Sequence, residues 1–179
     1  MKLLWYLLLI LAFYYLYIAL RFAFKRILLL RKIKQFAREN CIEYKLTTPA
    51  FLFPSNRYGT AVILKTERAT YNIRLFGLLR KNCGVHFWGK SSYSVEKYIP
   101  RMLVYGERHP GRRRNLGKWN ISSDTDISIL LYSSVNSPIY ITQTLVNHIS
   151  PLRAGDRIED VILADTDFLF RYIEKCENH

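Results

Sequence analysis

The chain has 179 residues, half of them hydrophobic, with 27 Lys and Arg against 14 Asp and Glu, for a formal net charge of +13. This composition excludes a disordered polar chain, and about 140 residues beyond the N-terminal segments leave room for one ordinary domain. Cys41, Cys83 and Cys176 are widely separated and form no C-x-x-C, which excludes a disulfide framework and agrees with a reducing compartment.

Residues 3–20 contain no charged side chain. As a helix they cover about 27 Å, close to the roughly 30 Å hydrocarbon core of a bilayer. Phe22, Ala23 and Phe24 extend the run, and Arg21 and Lys25 have stems long enough to snorkel. The sequence therefore predicts a transmembrane anchor over residues 1–20, with Trp5, Tyr6, Tyr14, Tyr15 and Tyr17 suited to interfacial belts. A cleaved signal peptide fits less well, because only Lys2 precedes the run and bulky or charged residues follow it. A buried core helix would need protein on every side.

Orientation follows from the basic residues. Arg21, Lys25, Arg26, Arg31, Lys32, Lys34 and Arg38 follow the apolar run, and no acid occurs before Glu39. The positive-inside rule then predicts a single-pass protein with its C-terminal domain in the cytoplasm. Residues 21–40 lack Gly and Pro and predict a basic juxtamembrane helix. Phe22, Leu29, Ile33 and Phe36 share one stripe of it, and Arg31, Lys34 and Arg38 another. The seven basic residues are expected to face anionic lipid headgroups, each worth about 1 kcal/mol near the surface, or simply to set topology.

From residue 41 the pattern changes to strands. Ile42–Leu46, Thr60–Thr66, Ala69–Phe76, Gly84–Trp88, Tyr93–Ile99, Ile127–Tyr132, Ile139–Thr144 and Glu159–Leu163 are predicted strands. Glu67 and Arg68 make a hairpin of the second and third. In Ala69–Phe76, Tyr71, Ile73 and Leu75 face one way and Asn72 and Arg74 the other. A C-terminal helix follows, capped by Asp165 or Thr166, with Phe168, Tyr172 and Cys176 on one face, widened by Leu169 and Ile173. The fold class is α+β: an N-terminal transmembrane helix continuing into a basic helix, then a mostly antiparallel β domain over 41–179 ending in a helix.

Charge is unevenly distributed: +8 over residues 1–38, +10 over 39–119 and −5 over 120–179. The glycine-punctuated stretch 101–119 reads as a loop carrying Arg108, Arg112, Arg113, Arg114 and Lys118, with Trp119 as contact area. Arginine forks match phosphates and carboxylates two bonds at a time, so this loop is the candidate binding site.

Catalytic chemistry finds little purchase. Cys83 and His86 lie three apart in a predicted strand and so point to opposite faces. Asp124-Thr-Asp126 and Asp165-Thr-Asp167 suit turns and caps better than a cation site, and there is no phosphate-cradling glycine loop, G-x-S-x-G or H-E-x-x-H. No catalytic residue, metal or cofactor is assigned. The hairpin over 60–76 is superficially similar to the core of restriction-endonuclease-like nucleases. Their acids are missing, because Ala61–Leu64 and Tyr71-Asn-Ile-Arg74 stand in their place. In layout the chain resembles small single-pass bacterial membrane proteins, a resemblance of architecture that implies no activity. The expected function is partner binding or regulation at a membrane, with a protein partner. The rivals are a tethered enzyme assembled from residues such as Asp124, Asp126, His148 and Cys83, and nucleic-acid binding through the basic face.

Overall fold

The computed structural model describes residues 2–47, 62–76, 83–89, 92–97, 114–115, 125–132, 139–143 and 148–178. It begins with one long helix, α1 (Lys2–Glu39). Charge-free leucines and absent Gly and Pro let it run without a break through both predicted N-terminal segments. It ends in a Schellman turn: the amide of Ile42 donates to the Ala37 carbonyl at 2.8 Å and that of Cys41 to the Arg38 carbonyl at 3.3 Å. Cys41 takes the left-handed position, with φ 57°, that glycine usually fills.

The strands follow as β1 (Glu43–Leu46), β2 (Val62–Lys65), β3 (Thr70–Phe76), β4 (Cys83–Phe87), β5 (Ser92–Lys97) and β6 (Arg114–Asn115). After them come β7 (Asp126–Tyr132), β8 (Ile139–Gln143), β9 (His148–Leu152), β10 (Arg157–Ile158), β11 (Val161–Ala164) and the helix α2 (Thr166–Asn178). They form two mixed sheets, ordered β1-β2-β3-β7-β11-β10 and β6-β5-β4-β8-β9. The first is antiparallel from β1 to β3, but β3, β7 and β11 run parallel at its centre. Ile129, Leu130 and Leu131 of β7 and all of β11 are buried, the two-sided burial of central parallel strands.

The two faces of the six-stranded sheet are covered differently. Val62, Leu64, Tyr71, Ile73, Leu75, Ile129 and Leu131 face Ile33, Phe36 and Ala37 of α1 and Leu169 and Ile173 of α2. Phe36 stacks on Phe170, with centroids 4.3 Å apart and planes 10° from parallel. On the other face Leu130, Ile158, Val161 and Leu163 meet Val85, Phe87 and Tyr93 of the five-stranded sheet. The order of layers is helices, sheet, sheet. Asp165 caps α2, its Oδ1 accepting from the Phe168 amide at 2.8 Å.

One expectation is corrected: among the described residues no helix is long and apolar enough to cross a membrane, so the transmembrane, single-pass and cytoplasm-facing assignments are not supported. The physical reason lies in the run itself: Trp5, Tyr6, Tyr14, Tyr15 and Tyr17 bring N–H and O–H groups that hydrocarbon leaves unsatisfied. The apolar stripe of the basic helix is turned inward. Leu29, Ile33 and Phe36 pack on the chain's own sheet, while Arg31, Lys32, Lys34 and Arg38 are exposed on other sides of α1. Arg26 is half-buried, and burial lowers its pKa; Arg21 and Lys25 lie on the same helix. The mostly antiparallel β domain ending in a helix is as expected, with three parallel pairings, β3–β7, β7–β11 and β4–β8, that residue alternation does not report, because alternation shows which face a side chain takes but not which strand lies beside it.

Candidate functional site

Two places in the fold carry chemistry. The first is the edge of the five-stranded sheet. Among the described residues β6 pairs with β5 alone, Tyr93 opposite Arg114 and Ser92 opposite Asn115, and its outer side is a sheet edge. The fold thus brings the basic stretch to a sheet edge through Arg114. Arg108, Arg112, Arg113, Lys118 and Trp119 lie outside the described residues.

The second place, which the sequence did not single out, is the inter-sheet side of β3 and β7. Asn72 and Ser128 are register partners across this parallel pair, and Arg74 lies two residues further along β3 on the same face. They are buried, at 5%, 2% and 1% exposure. Asn72 Nδ2 and Ser128 Oγ make no hydrogen bond. Burial holds the Arg74 guanidinium down to about 10. Along this face the row Ile63, Asn72, Ser128 and Val161 and the row holding Arg74, Leu130 and Leu163 are otherwise apolar. One row outward, Lys65 is exposed, and Thr70 and Asp126 are part-exposed. The alternation of Asn72 and Arg74 was readable; their burial was not, because it depends on a second sheet.

The helix side is fully engaged by contrast. Glu177 Oε1 accepts from the Thr66 hydroxyl at 2.8 Å and the Tyr71 hydroxyl at 3.1 Å. Burial first, then the neighbouring Cys176 and Glu177, push the Tyr71 phenol well above its ordinary pKa.

The residues considered for an enzyme are dispersed. Cys83 opens β4 toward the start of β8, whereas His148 pairs with Gln143 at the far end of β8. Asp126 sits in the other sheet, and Asp124 lies outside the described residues. His86 is buried with its ring 4.4 Å from that of Trp88. Among the described residues no group of three or more His, Cys, Asp or Glu side chains could hold a metal ion. Comparison of the chain with protein-family models, with curated proteins and with solved structures gave no match.

Proposed function

We propose that the chain is a binding module whose domain docks an acidic protein segment at the β6 edge, beside the arginine-rich stretch around Arg112, Arg113 and Arg114. The observation that carries this reading is the position of β6. An open strand edge offers backbone donors and acceptors to an added strand, and the adjoining arginines supply charge that selects an acidic one. The net +10 of residues 39–119 favours the same class of partner. The dispersal of Asp126, His148 and Cys83 supports binding over catalysis by that set.

The test is in-cell crosslinking of the full chain, with identification of what co-purifies, beside the Arg112→Ala/Arg113→Ala/Arg114→Ala chain. A stoichiometric acidic protein captured by the first and lost from the second is the expected result. Equal capture by both chains defeats the docking role of the arginines. Recovery of nucleic acid, with a steep salt dependence of binding, supports the rival instead.

A further inference from the structure

We propose that residues 4–20 of α1 assemble four copies of this chain into an antiparallel four-helix bundle. The inference is independent of docking at the β6 edge. It starts from the exposed half of α1, where Leu4 to Leu11, Phe13 to Tyr17 and Leu20 are all half to two-thirds exposed and none is charged. A helix of that length, about 25 Å long and about 10–12 Å across, presents a lateral surface of about 800 Å² or more. One partner contributes roughly that area to a stable interface, and an apolar patch of this size marks an interaction surface. The chain's own sheet packs on α1 only from Leu29 onward, and among the described residues no helix is long and apolar enough to cross a bilayer. A matching apolar helix is what such a cylinder needs, and another copy of the chain carries one.

The number of neighbours comes from the angular order of the side chains. At about 100° per residue Leu4, Leu8, Leu11 and Tyr15 fall within about 60° of one another, at the alternating spacing of four and three that makes a coiled-coil seam. Leu9, Phe13, Leu16 and Leu20 repeat that spacing in a second seam, centred about 140° round the helix from the first. A helix with two seams packs between two neighbours. The wide sector between the seams holds Tyr6, Tyr14 and Tyr17, whose hydroxyls then stay in water. The narrow sector, turned to the bundle axis, holds the small Ala12 and, at the bundle's end, Trp5. Charge sets the direction. Parallel copies would gather Arg21, Lys25 and Arg26 of every chain, with the net basic domains behind them, at one end. Antiparallel neighbours divide them between two ends and set the helix dipoles favourably. A closed ring of antiparallel neighbours has an even number of members, and four is the smallest that gives each helix two neighbours.

The test is the mass of the full chain in solution, by sedimentation equilibrium without detergent. A species of four times the 21.2 kDa of one chain, dissociating on dilution, is the expected result. Leu11→Glu/Phe13→Glu places one acid in each seam and is expected to return the single chain, its fold intact by circular dichroism. Tyr14→Glu/Tyr17→Glu adds the same charge to the outward sector and is expected to keep the four-copy mass. Oxidation of Ala12→Cys is expected to link chains through residue 12, near the middle of the bundle, whereas Leu4→Cys stays unlinked to its counterpart; mass mapping of the linked peptides reads both. In the dissociated chain both seams are exposed, so substitutions there change assembly and not the unfolding of the domain. The proposal is overturned by a chain that stays single at every concentration, by a polydisperse aggregate, or by a single chain recovered only with phosphatidylcholine vesicles. It also fails if the outward variant dissociates as fully as the seam variant, or if chains link through residue 4.

Discussion

Residues 4–20 and 29–37 belong to the same helix and are both rich in leucine, isoleucine and aromatics, yet they end in opposite environments. In the first stretch every large apolar side chain described, from Leu4 to Leu20, is half to two-thirds exposed. In the second, Ile33, Phe36 and Ala37 are buried against the sheet. The amount of apolar surface does not separate them, since the exposed half has more. Its arrangement does: apolar residues surround the first half, whereas the second confines them to one stripe and places Arg31, Lys34 and Arg38 elsewhere. A single sheet face can cover a stripe, and nothing in a domain of this size can cover a cylinder.

The sharpest break in this comparison comes from truncating one residue in each half. Ile33→Ala leaves a cavity between α1 and the sheet and is expected to cost about 3 kcal/mol, read by chemical denaturation. Leu9→Ala, at a position 50% exposed, is expected to stay within about 0.5 kcal/mol. Equal losses would mean that the two halves are equally engaged.

The surface beneath the docked half can be tested by pH. Tyr71 keeps its proton in the folded protein at pH values where an unfolded tyrosine has ionised, because its folded pKa is raised. Its contribution is therefore complete below about pH 10 and is lost as pH climbs beyond, at up to about 1.4 kcal/mol per pH unit. Burial raises Tyr44, Tyr132 and Tyr172 in the same direction, so Tyr71→Phe should shallow the alkaline decline rather than abolish it. Stability measured from pH 8 to 11 in both proteins decides the point.

Smaller effects belong to the helix ends. Asp165→Ala removes the acceptor for the Phe168 amide at the start of α2 and is expected to cost about 1 kcal/mol of unfolding free energy. Cys41→Gly relieves a left-handed residue where α1 turns into β1 and is expected to gain about 0.5–1 kcal/mol, seen as a small rise in melting temperature.

What the sequence made legible follows the same logic of pattern. The β2–β3 hairpin and the Asp165 cap could be read because alternation and capping are local. The division of β3 into Tyr71, Ile73 and Leu75 against Asn72 and Arg74 is likewise the one observed. The parallel neighbours of β7 could not be read, since pairing across distant segments leaves no mark in either strand. β9 was hidden by Pro151, which is tolerated there because β9 is an edge strand. The inter-sheet cluster escaped for a further reason: Asn72 and Arg74 look like a solvated strand face until a second sheet is laid over them. The expected span over residues 1–20 weighed absence of charge above the five Trp and Tyr side chains scattered through it.

The stack of Phe36 on Phe170 also bears on how the protein is made. The two rings come from helices that leave the ribosome far apart in time, and the floor they share includes Tyr71, Ile73 and Ile129. Until α2 has emerged, the part of that floor covered by Leu169 and Ile173 is open. Nascent chains halted before residue 166 should therefore be the form that holdase chaperones retain, and release should coincide with the arrival of Phe170.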